Sequence, residues 1–209
     1  MLLALLGVET IFTNPLGWFL FLVGLAYLVG VVIVYWIRKE RFWESTINGT
    51  TLLEEHGSLS YWLVTVSILV VFYLPPVAYL YFTAVLPRTT CMSTSGMALV
   101  ILGTVLFVWA RYTLRTNYSG HLIVKSGQTL VQSGPYCFIR HPAYAGYLLM
   151  AMGISLGYSS LAGLISVLVL LLPSLIFRIA VEEKLLVEHF GDAYRLYMRK
   201  IKRLIPGIW

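Results

Sequence analysis

The stretch GPYCFIRHPAYAGYLL, residues 134–149, places Arg140 and His141 directly before a long apolar segment. Pro142 suits the first turn of a helix and disfavours a helical conformation in the residue before it. We therefore expect a helix to begin at about Ala143, with His141 at its cap and Arg140 just outside. A helix start suits an anion, to which both basic side chains would donate. Alternatively, Arg140 is an ordinary membrane anchor and His141 only a cap.

The composition of the whole chain indicates an integral membrane protein. Of the 209 residues, 59% are hydrophobic and 11% are charged, and the mean hydropathy is +0.82. A soluble domain is much less apolar. The net charge of +6 comes from basic residues beside hydrophobic segments, so we predict no nucleic-acid partner. At this length we expect one domain, residues 1–209.

Five segments are long and apolar enough, or nearly so, to cross a membrane as helices, which takes about 20 residues. Only Ser159 and Ser160 separate the last two, so these should form a tight helical hairpin. Pro75 and Pro76 should kink the second span or end its regular part near Leu74. The predicted fold is therefore an all-α polytopic membrane protein, with spans at residues 16–37, 59–81, 96–112, 143–158 and 161–179.

The distribution of positive charge predicts which loops face the cytosol. The second loop carries only Arg88, whereas the first and third loops carry three basic residues each and the tail carries six. With five spans, the N-terminus is then outside, and the third loop and the tail are in the cytosol. Cys91 and Cys137 should lie on opposite sides of the bilayer, so we predict no disulfide between them.

A second polar stretch, residues 177–200, continues from the fifth span. Arg178 and Glu182 are four residues apart and share a helical face, with Glu183 beside them. Ionisable groups so close to hydrocarbon tend to face a cavity or one another. They therefore form either a ligand site or a structural Arg–Glu pair. The following residues predict a cytosolic amphipathic helix that is interrupted at Gly191.

Three further patterns have structural explanations. The polar loop of residues 117–136 suits a segment that wraps a ligand, although any cytosolic loop could look like this. Gly153 and Gly157 form a GxxxG motif, which predicts a close helix-packing face. Tyr194 and Tyr197 fit packing at the membrane interface better than catalysis.

Several common functional classes lack their sequence motifs here. The chain has no P-loop, no GxGxxG after a strand, no HExxH and no GxSxG. His56 has no partner at the spacing of metal ligands, so we predict no metal site.

The segment from about residue 116 onward contains five motifs in order: Gly134-Pro135-Tyr136, Arg140-His141-Pro142-x-Tyr144-x-Gly146, Glu182-Glu183, Phe190-Gly191-Asp192-x-Tyr194 and Leu204-Ile205-Pro206-Gly207. Their order and spacing resemble the isoprenylcysteine carboxyl methyltransferases and the related phospholipid methyltransferases. Before this segment, the resemblance is limited to hydropathy.

The resemblance implies an enzyme that uses S-adenosyl-L-methionine and no metal. It implies that residues 1–115 embed the protein in the membrane and that residues 116–209 form the cofactor-binding catalytic region. Arg178 matches a substrate-binding arginine. Gln128 and His121 depart from the family, which has a histidine at the first position and can have a glutamine at the second. The cofactor-binding residues implied by the motifs are His121, Gln128, Thr129, Leu130, Val131, Tyr136, His141, Pro142, Ala143, Tyr144 and Glu182.

The implied reaction is methylation of the carboxylate of a C-terminal isoprenylcysteine or a similar lipophilic acid. The cofactor would enter from the cytosol and the lipophilic methyl acceptor from the bilayer, in the endoplasmic reticulum of a eukaryote or the plasma membrane of a prokaryote. One alternative is N-methylation of a phospholipid head group such as that of phosphatidylethanolamine. Another is a non-catalytic membrane module whose basic loops bind anionic lipid.

Overall fold

The computed structural model describes residues 54–81, 86–87, 89–114 and 129–207. The predicted first span, residues 16–37, and the predicted site residues His121 and Gln128 lie outside these ranges. Within them the secondary structure is helical, as predicted, apart from one isolated parallel bridge between Ile139 and Lys202. The helices are α1 (Glu54–Tyr81), α2 (Thr90–Leu114), α3 (Pro142–Gly157), α4 (Leu161–Ser166), α5 (Leu172–Phe190) and α6 (Asp192–Lys200).

Three helical stretches are long and apolar enough to cross a membrane, namely Leu59–Tyr79, Thr90–Leu114 and Leu161–Phe190. The third consists of α4 and α5 joined by a π-helical turn, Val167–Leu171. The predicted short fourth span corresponds to α3, which has 16 residues. The protein is therefore an integral membrane protein, and three of its five predicted spans are matched by long apolar helices.

Helices α2 and α3 are in backbone contact. A Cβ atom added to Gly96 would lie 2.5 Å from the backbone nitrogen of Gly157 and 2.6 Å from the carbonyl oxygen of Gly153. Gly103 and Gly146 form a second such contact along the same pair of helices. The prediction that the GxxxG motif is a close packing face is confirmed.

Helix α1 continues through both of its prolines to Tyr81. Of the two predicted effects of the prolines, an end of the regular helix near Leu74 is therefore wrong, and a kink stays a prediction. Pro75 is fully buried, and its ring lies against Gly163 of α4, where an added Cβ would be 2.7 Å from the proline Cγ. Pro75 has no backbone N–H to donate within α1. At the same position its ring packs against α4.

The hairpin between α3 and α4 is as tight as predicted. Helix α3 ends at Gly157, α4 begins at Leu161, and Ser159 has a positive φ of 50° in the turn. The hydroxyl of Ser160 caps α4 by accepting a hydrogen bond from the Gly163 N–H at 3.1 Å.

Two clusters of buried apolar residues hold these helices in place. The larger cluster joins α1, α2 and α3 to the π-helical turn and to the start of α5. The smaller one packs Ile139 and Ala145, at the start of α3, against Ile179 of α5 and Leu204. It thereby brings residues 201–204, called the tail segment below, next to the start of α3.

Candidate functional site

The start of α3 is the first part of the site. His141 is its N-cap residue, with φ −124° and ψ 60°, and Pro142 occupies the first turn, as predicted. The N–H of Arg140 donates to the carbonyl of Lys202 at 2.8 Å, and that of His141 to the carbonyl of Arg203 at 3.0 Å. The tail segment therefore fixes the backbone that leads into α3.

The guanidinium of Arg140 is used within the protein. It contacts Glu183 through Nε at 2.8 Å and through Nη2 at 2.7 Å. Its Nη1 donates to the carbonyls of Met198, at 3.0 Å, and Ile201. Since the side chain is buried and most of its N–H groups already have acceptors, Arg140 is neither a solvated membrane anchor nor a free donor for an external anion.

The two adjacent glutamates have different surroundings. Glu183 is 3% exposed and is contacted by Arg140, His141 and Arg203. Glu182 is half-buried and accepts one hydrogen bond, from the hydroxyl of Tyr144 at 2.7 Å. Within the described ranges, no second donor contacts Glu182. Of the two carboxylates, Glu182 is therefore the one with capacity left for a ligand.

Tyr144 links Arg178 to Glu182. The Nε of Arg178 donates to the Tyr144 hydroxyl oxygen at 3.4 Å, and that hydroxyl donates to Glu182. The Nη1 of Arg178 also donates to Ser60 of α1 at 2.9 Å. Arg178 is 5% exposed, so its charge is held in the interior of the protein. A cation, a hydroxyl and a carboxylate thus follow one another between α3 and α5.

Two buried tyrosines of α6 lie next to the residues of the site. The hydroxyl of Tyr197 donates to the carbonyl of Tyr136 at 2.6 Å. Burial raises the pKa of Tyr197 to about 12, although Arg140 acts to lower it. Burial, and then the negative charge of Glu183, raise the pKa of Tyr194 above its ordinary value. Both tyrosines are protonated at neutral pH and serve packing, as predicted, but within the protein.

The remaining predicted residues lie around this centre. Pro142 is buried and Ala143 is half-buried at the start of α3. Thr129 is exposed, and Leu130 and Val131 are half-buried, in the non-helical segment that leads to the Gly134–Cys137 turn.

Sequence reasoning missed two residues that contact the site. Ser60 is 118 residues from its partner Arg178, and no local pattern distinguishes it from other serines. Arg203 is one of six basic residues in the tail, and the sequence does not show that it pairs with Glu183. The basic character of the tail was the only signal available.

The chain is similar to known methyltransferases. Residues 91–193 match the family model of phospholipid methyltransferases. The protein-S-isoprenylcysteine O-methyltransferase of Saccharomyces cerevisiae is 33% identical over 123 residues, which are 57% of this chain and 51% of that protein. The enzyme of the same name from Schizosaccharomyces pombe is 30% identical over 118 residues, 55% of this chain and 50% of that protein. The resemblance to these methyltransferases is confirmed.

The chain spans about half the length of these two methyltransferases. A solved structure of a eukaryotic intramembrane Ras methyltransferase, isoprenylcysteine carboxyl methyltransferase, is similar with a TM-score of 0.51. The similarity covers 75% of this chain and 55% of that chain at 24% identity, and it shows a shared fold.

The methyltransferase match contains most of the site. It includes α3 and α5, and with them Tyr144, Arg178, Glu182 and Glu183. Arg203, which binds Glu183, lies beyond the matched residues.

Proposed function

We propose that this protein is an S-adenosyl-L-methionine-dependent methyltransferase that methylates the carboxylate of a C-terminal isoprenylcysteine or a similar lipophilic acid. The observation that carries the proposal is the contact series Arg178–Tyr144–Glu182. In this series Arg178 is a positive group that suits the carboxylate of the methyl acceptor. Nearby, Glu182 is a negative group that suits the ammonium of the methyl donor. The similarity to protein-S-isoprenylcysteine O-methyltransferases supports the choice of acceptor.

The described residues fit the amino-acid part of the cofactor. Glu182 has capacity for an ammonium group, since Tyr144 is its only donor within the described ranges. The first N–H groups of a helix have no partner inside the helix, and those of Ala143 and Tyr144 suit a carboxylate. When bound, S-adenosylmethionine supplies a methyl group on a sulfonium sulfur. The aromatic ring of Tyr144 suits such a positive charge.

The other proposed cofactor-binding residues are those that the sequence motifs imply. We assign contacts along the cofactor to residues before α3 and in its first turn. These proposed residues are His121, Gln128, Thr129, Leu130, Val131, Tyr136, His141 and Pro142.

Arg178 is the proposed substrate-binding residue. Its guanidinium is held by Ser60 and Tyr144, so its direction is fixed before a substrate arrives. A carboxylate is already ionised and nucleophilic at neutral pH, and its alignment with the methyl group therefore contributes more than a base would. Arg178 would supply that alignment, and no metal is required.

The proposed topology has five spans, with the third loop and the tail in the cytosol. The three long apolar helices and the basic tail support this arrangement. Residues 1–115 would embed the protein, and residues 116–209 would form the catalytic region. The cofactor would then enter from the cytosol and the lipophilic acceptor from the bilayer, in the endoplasmic reticulum of a eukaryote or the plasma membrane of a prokaryote.

A second candidate function is N-methylation of a phospholipid head group. The family model that matches residues 91–193 is that of phospholipid methyltransferases, which favours this alternative. Both reactions require S-adenosylmethionine as the methyl donor, so the two candidate functions differ only in the methyl acceptor.

Purified protein in lipid nanodiscs would test the proposal. It is incubated with methyl-labelled S-adenosylmethionine and either N-acetyl-farnesylcysteine or phosphatidylethanolamine. Transfer to farnesylcysteine as a base-labile methyl ester is the expected result, and transfer to the lipid alone would establish the second candidate. If calorimetry detects no binding of S-adenosylmethionine, both enzyme functions are excluded and a non-catalytic lipid-binding module is favoured.

A further inference from the structure

The carboxylate of Glu183 connects three parts of the chain. Its Oε1 accepts from Arg140 and lies 3.2 Å from the Nε2 of His141. Its Oε2 accepts from Arg203, through Nε at 2.9 Å and Nη2 at 2.8 Å. Arg140 and His141 precede α3, Glu183 belongs to α5, and Arg203 lies in the tail segment. Both oxygens of this buried group are therefore occupied by protein donors.

The contact with Glu183 determines which nitrogen of His141 carries a proton. A carboxylate bound by two guanidinium groups is ionised and can only accept hydrogen bonds. The hydrogen between the two residues must then belong to Nε2. In the neutral form of the imidazole, which has a single N–H, Nδ1 is then the acceptor.

In the described part of the chain, the Nδ1 of His141 is the unpartnered nitrogen of a ring that is otherwise buried. Within the described residues Nε2 contacts Glu183 and Nδ1 has no hydrogen-bond partner. No fully buried side-chain nitrogen or oxygen in those residues lacks a partner. Nδ1 is therefore not fully buried. The His141 ring also stacks on the ring of Tyr144, with centroids 5.7 Å apart, which places it beside the residue that contacts Glu182.

We propose that Glu183 is a positioning residue that fixes the proton of His141 on Nε2, so that Nδ1 accepts a hydrogen bond from the ligand. Through Arg203, the same carboxylate makes this arrangement depend on the attachment of the tail segment. The identity of the ligand rests on the proposed function, since the ammonium group of S-adenosylmethionine is a donor that such an acceptor would bind. His141 is then an acceptor for a cation rather than a donor to an anion.

The first test measures the tautomer directly. The chain has four histidines, so ¹⁵N-histidine labelling and a His141→Gln variant assign the ring signals of His141. The wild-type protein should show the Nε2–H form. In Glu183→Gln, whose amide can donate as well as accept, the Nδ1–H form should become populated. An Nδ1–H form in the wild type, or an unchanged Nε2–H form in a folded Glu183→Gln protein, would overturn the proposal.

The second test uses Arg203, whose side chain is one-third exposed, unlike that of Glu183. Arg203→Met should weaken calorimetric binding of S-adenosylmethionine about tenfold. This is the effect expected when the ligand loses its charge-assisted hydrogen bond to His141. Arg203→Lys should recover part of the affinity. The matched control is Arg195→Met, which breaks an exposed ion pair with Asp192 and should bind like the wild type.

The outcomes separate this proposal from the proposed function. If the wild type binds S-adenosylmethionine and Arg203→Met binds it equally well, the positioning role is wrong and the methyltransferase proposal stands. If the wild type does not bind it, the proposed function fails, and the tautomer measurement alone decides whether Glu183 controls His141.

Discussion

Tyr144 has the most consequential contacts of any single residue in the site. Its hydroxyl accepts from Arg178 and donates to Glu182, so one oxygen contacts both of these charged groups. Its ring additionally stacks on His141. A change confined to the hydroxyl therefore tests the polar contacts while the ring packing stays in place.

Tyr144→Phe is expected to lower kcat/KM for methyl transfer by about 10- to 100-fold, because hydrogen bonds to two charged groups are lost. The thermal unfolding temperature should change little, since the ring remains. Wild-type activity in Tyr144→Phe would show that the Tyr144 hydroxyl has no role in the reaction.

Glu182→Gln should weaken binding of S-adenosylmethionine by about 10- to 100-fold, because the charge that balances the ammonium group is removed. Calorimetry in detergent measures the change. Glu188→Gln, an exposed glutamate on the same helix, should bind normally. Unchanged affinity in Glu182→Gln would place the cofactor ammonium elsewhere.

The sequence predicted individual site residues well where local rules apply. Pro142 identified His141 as the cap, and the spacing of four placed Arg178 and Glu182 on one face. It could not assign different surroundings to Glu182 and Glu183, because the three residues that contact Glu183, namely Arg140, His141 and Arg203, are 20 to 43 residues away in the chain. Contacts across long stretches of chain have no local signature.

Among the helices, α2 and α3 depend most on the absence of side chains. Gly96, Gly153 and Gly157 leave no room for a methyl group between the two backbones. The attraction between such helices comes from van der Waals packing at short distance, since lipid is as apolar as the helices themselves. Increasing the separation would therefore remove the contact that holds α3 in position.

Gly96→Ala should destabilise the protein by about 1–3 kcal/mol, because the added Cβ meets backbone atoms that cannot move aside. The measurement is thermal unfolding in detergent, followed by tryptophan fluorescence. Ala98→Val adds volume at an exposed position of the same helix and should have little effect. An equal loss of stability in both variants would contradict close packing at Gly96.

The prediction of helices was accurate in kind and less so in detail. The hairpin at Ser159 and Ser160 and the interruption at Gly191 followed from turn residues and glycine. The passage of α1 through Pro75 and the π-helical turn Val167–Leu171 did not follow from the sequence, and both lie in packed parts of the protein. Local propensity gives no account of what a helix packs against.

At the scale of the whole molecule, the two cysteines report on the orientation of the protein in the membrane. Cys91 lies in the first turn of α2, and Cys137 lies in the Gly134–Cys137 turn beyond the other end of that helix; both are free and exposed. Helix α2 has 25 residues and is therefore about 37 Å long, enough to cross a bilayer.

In sealed vesicles, a membrane-impermeant maleimide should label only one of the two cysteines. The variants Cys91→Ser and Cys137→Ser identify which thiol reacts. Vesicles of the opposite orientation should give the reverse pattern. Labelling of both thiols from one side of intact vesicles would refute the predicted placement of the two loops across the bilayer.

The attachment of the tail segment also sets an order of events during synthesis. Arg140 finds an acceptor in Ile201, which is 61 residues further along the chain. At a translation rate of about 5–20 residues per second, roughly 3 to 12 seconds pass before that acceptor has been made. During this interval α3 can enter the membrane while Arg140 still lacks its final partners. The Arg140 side chain would then remain hydrated at the membrane surface. Membrane insertion and completion of the site are therefore separate steps, and a ribosome that stalls before residue 201 would leave an inserted helix bundle without a finished site.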